Sequence, residues 1–188
     1  ADPILAALPQ LGTPLRGARA ISRRLGFWRF KKPPLTAAGL RASAEQSLRR
    51  LRTDRIDILF LHEPAMERLR DPGEMLEEFV RLRERGLIRA FGLAGGWDAI
   101  SNILAGSPGL GAVVQTAESE WPANAPPDIT YGAVSGGTQS YFDSGLASNV
   151  AAERLRAALS RRPGGVVLVS TTKRQNLQAL VKTAESAA

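Results

Sequence analysis

The chain lacks cysteine and is poor in histidine and aromatic residues. The absence of cysteine from its 188 residues excludes disulfides and thiolate chemistry, and it fits the expectation of a cytoplasmic protein. No run of about 18 apolar residues occurs, so we expect no contact with a membrane through a spanning helix. No charged start followed by an apolar segment and a small-residue cleavage site is visible, so we expect no secretion signal.

Basic residues outnumber acidic ones, and the formal net charge is +7. Such an excess can indicate a nucleic-acid partner, but aromatic residues make up only 6% of the chain and do not alternate with the basic ones. The simpler interpretation is that arginines occupy solvated helix faces, and we predict no nucleic-acid partner. These arginines are Arg49, Arg50, Arg52, Arg81, Arg83, Arg85, Arg161 and Arg162.

The rest of the composition is that of an ordinary globular protein. Hydrophobic residues make up 44% of the chain and charged residues 23%. A chain of this length can bury one substantial core, so we expect a single domain over residues 1–188. We predict no metal site, and the sequence does not indicate an oligomeric state.

Short apolar segments alternate with amphipathic helical segments along most of the chain. The segment at 56–61 is apolar except for Asp57, as expected of a strand that is covered on both faces. A segment at 20–25 is a weaker candidate because Arg23 and Arg24 interrupt it. The predicted strands are residues 56–61, 88–93, 112–116, 129–134 and 166–169.

Local signals mark where the helices between these strands begin. Thr36 is a predicted N-cap, Asp71 followed by Pro72 marks a second helix start, and Thr172 with Gln175 forms a capping-box pattern. Apolar spacing predicts the buried faces of two of these helices. The helix after Asp71 would bury Leu76, Phe79 and Val80, and the last helix would bury Leu177, Leu180, Val181 and Ala184.

This alternation predicts an α/β fold with a parallel sheet and right-handed crossovers. No Gly-x-Gly-x-x-Gly pattern follows a strand, which argues against a dinucleotide-binding doubly wound sheet. A (β/α)8 TIM barrel fits better. Because such barrels have eight strands and about 250 residues, we expect a barrel that is incomplete at the N-terminal end, with about the C-terminal two thirds present.

The segment at 47–64 carries the most specific motif of the sequence. It reads Ser-Leu-Arg-Arg-Leu-Arg-Thr-Asp-Arg-Ile-Asp-Ile-Leu-Phe-Leu-His-Glu-Pro, a helix end, an apolar strand and a histidine at the tip of that strand. This segment resembles the aldo-keto reductase family. Later features of the chain agree with the resemblance, namely Arg89 to Gly92, Gln115 at the end of a strand, and the Ser-Thr-Thr-Lys at 170–173.

The resemblance implies an NADP(H)-dependent reductase of a small aldehyde or ketone. In that family a tyrosine protonates the developing alkoxide, with help from a lysine, an aspartate and a histidine. His62 matches the histidine, which orients the substrate carbonyl. From the residues alone, a structural histidine that bonds to the backbone is the simpler alternative.

The resemblance also implies a set of cofactor-binding residues. Gln115 matches the glutamine that holds the nicotinamide carboxamide, and Ser135 and Gly137 match a loop that contacts the cofactor. A helix N-terminus with hydroxyls and a lysine is also a physically reasonable anion site, although a plain capping motif is the alternative. The residues that match the region around the adenosine 2′-phosphate are Thr171, Thr172, Lys173 and Asn176.

Several positions depart from the family pattern. No Asp-x-x-x-x-Tyr motif occurs, Arg24 stands where the family has its lysine, and Ala94-Gly95 replaces a Ser-Asn pair. Glu118 stands where the family usually has an aromatic residue that stacks on the nicotinamide ring. Two explanations remain open: the N-terminal strands are missing from this chain, or the chain is a relative that keeps the barrel without the chemistry. In the second case it would be a nucleotide-sensing or protein-interaction module.

Overall fold

A computed structural model describes residues 33–134 and 148–187 of the chain. From Pro34 onward the described residues belong to one compact unit. Strands and helices alternate in this unit, as the sequence predicts, except that no helix lies between the third and fourth strands. Their bounds are α1 Ala37–Leu51, β1 Ile56–His62, α2 Pro72–Glu84, β2 Ile88–Ala94, α3 Trp97–Gly106, β3 Val114–Ala117, β4 Ile129–Tyr131, α4 Ser148–Arg161, β5 Val166–Leu168 and α5 Arg174–Glu185.

The five strands form one parallel sheet in the order β1-β2-β3-β4-β5. Sequential order with helical crossovers confirms the predicted α/β fold of barrel type. All strands run the same way, so their carboxyl ends lie along one edge of the sheet. None of the helices in the described ranges has the length and hydropathy needed to cross a membrane.

Three strands are shorter than the sequence predicts, among them β5, which ends at Leu168 rather than at 169. Strand β3 begins at Val114 rather than at 112, because a short 3-10 helix at Pro108–Gly111 takes up the preceding chain. Strand β4 ends at Tyr131 rather than at 134, because Gly132 turns the backbone with a φ of +78°. The strand predicted at 20–25 lies outside the described residues.

Local capping signals are right for two helices and wrong for the third. The Thr36 hydroxyl accepts from the Gly39 amide at 3.1 Å, and the Asp71 carboxylate accepts from the Glu74 amide at 3.0 Å. The capping box at Thr172 is wrong, since Lys173 is the N-cap of α5 and no side chain caps that helix. The hydroxyl of Thr171 instead accepts from the Lys173 amide at 3.2 Å. The helix therefore starts one residue later than the capping box at Thr172 predicts.

The main hydrophobic core lies between helices α1 to α3 and strands β1 and β2. Phe79 of α2 stacks on Phe91 of β2 with ring centroids 4.6 Å apart. The buried face of α2 is rotated from the prediction: Phe79 is buried as expected, but Leu76 and Val80 are only partly buried. Met75, Glu78, Phe79 and Leu82 are the buried residues of this helix.

Two expectations about burial are wrong. Ile58 of β1 is 37% exposed, because β1 pairs only with β2 within the described residues and is an edge of that sheet. In α5, Leu177 and Val181 are about half exposed, whereas Leu180 and Thr183 are buried. Thr183 joins the buried face because its hydroxyl donates to the Ala179 carbonyl at 3.0 Å.

Candidate functional site

Strands β1, β2 and β3 align three residues in one row, in which His62 and Ala94 end β1 and β2 and Gln115 is the second residue of β3. His62 pairs in register with Ala94, and Ala94 pairs in register with Gln115. Residues that share a register position in parallel strands face the same side of the sheet. The row therefore brings the histidine and the glutamine to one place, although they lie 53 positions apart in the sequence.

A cavity of about 300 Å³ opens beside this row. Its position at the carboxyl ends of the strands is where barrel enzymes place their active sites. Its volume is at the lower end of the range for ligand pockets. The described residues that line it are His62, Glu63, Ala94, Gly95, Gly96, Gln115 and Tyr131.

Tyr131 brings an aromatic ring into the cavity from the end of β4. Its register partner Ala117 lies two residues after Gln115, so the ring belongs to the same edge of the sheet. Burial raises the pKa of the Tyr131 phenol, and the negative charges of Glu120 and Glu63 raise it further. The hydroxyl is therefore protonated throughout the neutral range. The sequence analysis gives this tyrosine no role, because the predicted strand runs to 134 and places Tyr131 within it and not at its end.

The turn after β1 is held tightly against the turn after β2. The Glu63 amide donates to the Ala94 carbonyl at 2.7 Å, and the Gly95 amide donates to the Gln115 carbonyl at 3.1 Å. A Cβ at Gly95 would lie 3.3 Å from the Glu63 Cα, so the close approach depends on glycine. Glu63 itself has a φ of +46°, a left-handed conformation that non-glycine residues rarely adopt and that clusters at functional sites.

Helix α3 begins at the rim of the cavity. Its N-cap is Gly96, which lines the cavity and has no side chain to cap the helix. The carboxylate of Glu120, in the loop after β3, accepts from the Trp97 amide at 3.1 Å and supplies the cap. An acidic side chain therefore lies at this helix N-terminus.

The predicted phosphate-binding residues lie in the loop after β5 and in the first turn of α5. Leu168 of β5 pairs in register with Tyr131, so the loop that follows leaves from the same edge of the sheet as the cavity. Lys173 and Asn176 are exposed, and the first amides of α5 have no side-chain cap. These residues do not belong to the described lining of the cavity. Ser135 and Gly137 lie outside the described residues.

A comparison with known protein families gives a match to the model described as the aldo/keto reductase family. The match covers residues 21–115, just over half of the chain, and includes the strand that carries His62. The chain belongs to the aldo/keto reductase family. The resemblance recognised in the sequence is confirmed.

Individual relatives match over a part of their length. The chain is 47% identical over 53 residues to the uncharacterized oxidoreductase YcsN of Bacillus subtilis, which is 28% of this chain and 17% of that protein. The structure is similar to that of PA4992, a proposed aldo-keto reductase from Pseudomonas aeruginosa, with a TM-score of 0.59 and 23% identity. That similarity covers 81% of this chain and 58% of PA4992.

A third similarity has the same extent. The glycerol dehydrogenase AKR11B4 from Gluconobacter oxydans matches with a TM-score of 0.56 and 20% identity, over 81% of this chain and 63% of that protein. The chain thus spans about three fifths of the length of these solved structures. Because the identities are only 23% and 20%, these two similarities establish the fold of the chain and nothing further.

The structure shows where two of the positions that differ from the aldo/keto reductase pattern lie. Ala94 and Gly95 line the cavity, so the position of the family's Ser-Asn pair is at the cavity wall but offers no side-chain donor. Glu118 is absent from the described lining. Its carboxylate instead pairs with Arg161 of α4 at 2.9 Å, and the guanidinium of Arg161 lies 4.1 Å from the ring centroid of Trp121. An aromatic ring does line the cavity, that of Tyr131 at the end of β4.

Proposed function

We propose that this chain is an aldo-keto reductase-type oxidoreductase that reduces an aldehyde or ketone with NADP(H). The observation that carries the proposal is that His62 and Gln115 line one cavity at the carboxyl edge of a parallel sheet. We propose further that residues 1–188 form one domain and that the protein is cytoplasmic.

The residues around the cavity fit the nicotinamide end of the cofactor. The side-chain amide of Gln115 offers both a donor and an acceptor, which a carboxamide needs. The ring of Tyr131 is 37% exposed and offers a face for stacking. A volume of about 300 Å³ holds a ring-sized group and a small carbonyl compound, but not a whole dinucleotide.

The adenosine 2′-phosphate would be bound elsewhere, at the N-terminus of α5. Uncapped amides at a helix N-terminus attract anions, and a lysine adds a full positive charge. Lys173 occupies the N-cap of α5 and its side chain is exposed. Thr171, Thr172 and Asn176 complete this proposed site with hydroxyl and amide groups.

When bound, NADPH would supply the hydride that the carbonyl carbon accepts. His62 is proposed to donate a hydrogen bond to the carbonyl oxygen, which orients the carbonyl and stabilises the charge that develops on it. The alkoxide formed by hydride transfer would take its proton from solvent water, to which the His62 side chain is exposed. Gln115 and Tyr131 are proposed to hold the nicotinamide ring in place. Ala94 and Gly95, which line the cavity, are buried.

Titration of the protein with NADPH, followed by tryptophan fluorescence, tests the cofactor proposal. We expect quenching at micromolar NADPH, and we expect Lys173→Glu to weaken binding about tenfold, the worth of one charge-assisted hydrogen bond. Lys182→Glu reverses a charge in the last turn of the same helix and is the matched control, with little effect expected. NADH lacks the 2′-phosphate, so its binding should not respond to Lys173→Glu.

A non-catalytic barrel that senses a nucleotide or binds another protein is the second candidate. The observation that favours it is that Ala94 and Gly95 give the cavity wall no side-chain donor. This candidate predicts NADPH binding without turnover of any carbonyl compound, and a biological role that His62→Ala leaves unchanged. Loss of that role in His62→Ala would remove the candidate.

A further inference from the structure

The Glu120 carboxylate lies at the N-terminus of α3, at the rim of the cavity. A helix N-terminus carries a partial positive charge and free amides, which attract anions. Here the Glu120 carboxylate already accepts from the Trp97 amide at 3.1 Å. The bond joins residues 23 positions apart, so it depends on the fold and not on a local capping sequence.

The same carboxylate is close to the cavity. Gly96 lines the cavity, and a Cβ at Gly96 would lie 3.5 Å from the Glu120 carboxylate oxygen. The charge of Glu120 also acts on Tyr131, whose ring lines the cavity. Burial is the largest cause of the raised pKa of the Tyr131 phenol, Glu120 is the second and Glu63 the third. An anion in the cavity would therefore meet a negative charge where a bare helix N-terminus would have attracted it.

We propose that Glu120 makes this cavity select neutral or cationic carbonyl compounds and reject anionic ones such as keto acids. This inference deepens the proposed function and rests on it for the identification of the ligand as a carbonyl substrate. Charge selection itself is a property of the cavity and is measurable without turnover. The alternative is that Glu120 caps α3 and has no effect on ligands.

Three probes of nearly equal size and shape separate these two roles. Benzamide is neutral, benzoate is an anion and the protonated benzamidine is a cation. Binding can be followed through the ring signals of His62 in NMR, since this is the only histidine of the chain and it lines the cavity. The measurement needs neither cofactor nor catalysis.

We expect benzamide and benzamidine to bind the unmodified protein more tightly than benzoate. In Glu120→Gln, which keeps a cap acceptor but removes the charge, the preference for benzamidine over benzoate should fall about two- to fivefold, as for an exposed charge pair. In Glu120→Ala the gain for benzoate should be larger, because the Trp97 amide is left for the ligand. Glu84→Gln, at the end of α2 next to the opposite edge of the sheet, is the control and should keep the original preference.

Two results would overturn the proposal. If benzoate binds as well as benzamide, or if Glu120→Gln leaves the preference unchanged, Glu120 only caps the helix, while the proposed function stands. If none of the probes moves the His62 signals, the cavity takes no ring-sized ligand and the inference fails. The NADPH titration above judges the proposed function separately.

Discussion

Arg41 of α1 binds the buried carboxylate of Glu78 of α2 through two hydrogen bonds of 2.7 Å each. The Glu78 side chain is 1% exposed, and Arg81 adds a third contact at 3.1 Å. The bonds from Arg41 lower the pKa of Glu78 below its ordinary value, although burial acts in the opposite direction. This bidentate pair joins the first two helices of the described unit.

Replacement of Glu78 by Gln should lower the free energy of unfolding by about 2 kcal/mol, because Arg41 loses its hydrogen-bonded anionic partner and the buried amide makes weaker bonds. Glu77→Gln is the matched control. Glu77 pairs with the same Arg81 but is 66% exposed, so its loss should cost less than about 1 kcal/mol. Urea unfolding of the two variants gives the comparison, and equal effects would contradict this account of Glu78.

The stabilisation from Glu78 should depend on pH. A carboxyl whose pKa is lower in the folded state stabilises the protein above its unfolded pKa, near the ordinary value of 4.5, and loses this effect as pH falls through the folded pKa. The difference in stability between the unmodified protein and Glu78→Gln should therefore be constant at neutral pH and shrink below about pH 4.5. A difference that grows on acidification would show that the sign is wrong.

Gly92 of β2 allows the strand to approach the chain before β3. A Cβ at this position would lie 1.7 Å from the Val113 carbonyl oxygen, so Gly92→Ala requires the backbone to move. We expect a loss of about 3 kcal/mol or failure to fold. Gly106→Ala at the end of α3 should be neutral or slightly stabilising. A Cβ at Gly106 would lie 3.9 Å from the nearest heavy atom of any other part of the chain, which is ordinary van der Waals contact. Thermal unfolding of both variants tests this, and a normal melting temperature for Gly92→Ala would contradict the close approach.

Tyr131 is expected to contribute its ring, and not its hydroxyl, to cofactor binding. Tyr131→Phe keeps the ring and should bind NADPH like the unmodified protein. Tyr131→Ala removes it and should weaken binding about two- to tenfold, the range for one aromatic contact. Fluorescence titrations compare the two. A large loss in Tyr131→Phe would instead assign the role to the hydroxyl.

Features set by neighbouring residues were predictable from the sequence. The caps at Thr36 and Asp71 need only the next three residues, and the alternation of strands with helices gave the parallel sheet. The family motifs also mark His62 and Gln115 in the sequence, and the structure places both in the lining of one cavity. Ser135, Gly137 and the roles of the predicted cofactor residues remain predictions.

Features that depend on contacts between distant residues were missed. Glu120 caps a helix that begins 23 positions earlier, and no local pattern indicates this bond. Glu78 enters the buried face of α2 because Arg41, on another helix, neutralises it. Likewise, the capping box at Thr172 is locally plausible, but the loop after β5 continues for one more residue and makes Lys173 the N-cap.

The most direct test of the central claim is the consumption of NADPH, followed by the absorbance of the reduced nicotinamide ring, with a panel of neutral aldehydes. We expect saturable turnover by the unmodified protein. His62→Ala should lose most of kcat/KM while it still binds NADPH. NADPH binding without turnover of any aldehyde would contradict the claim that this cavity reduces carbonyl compounds.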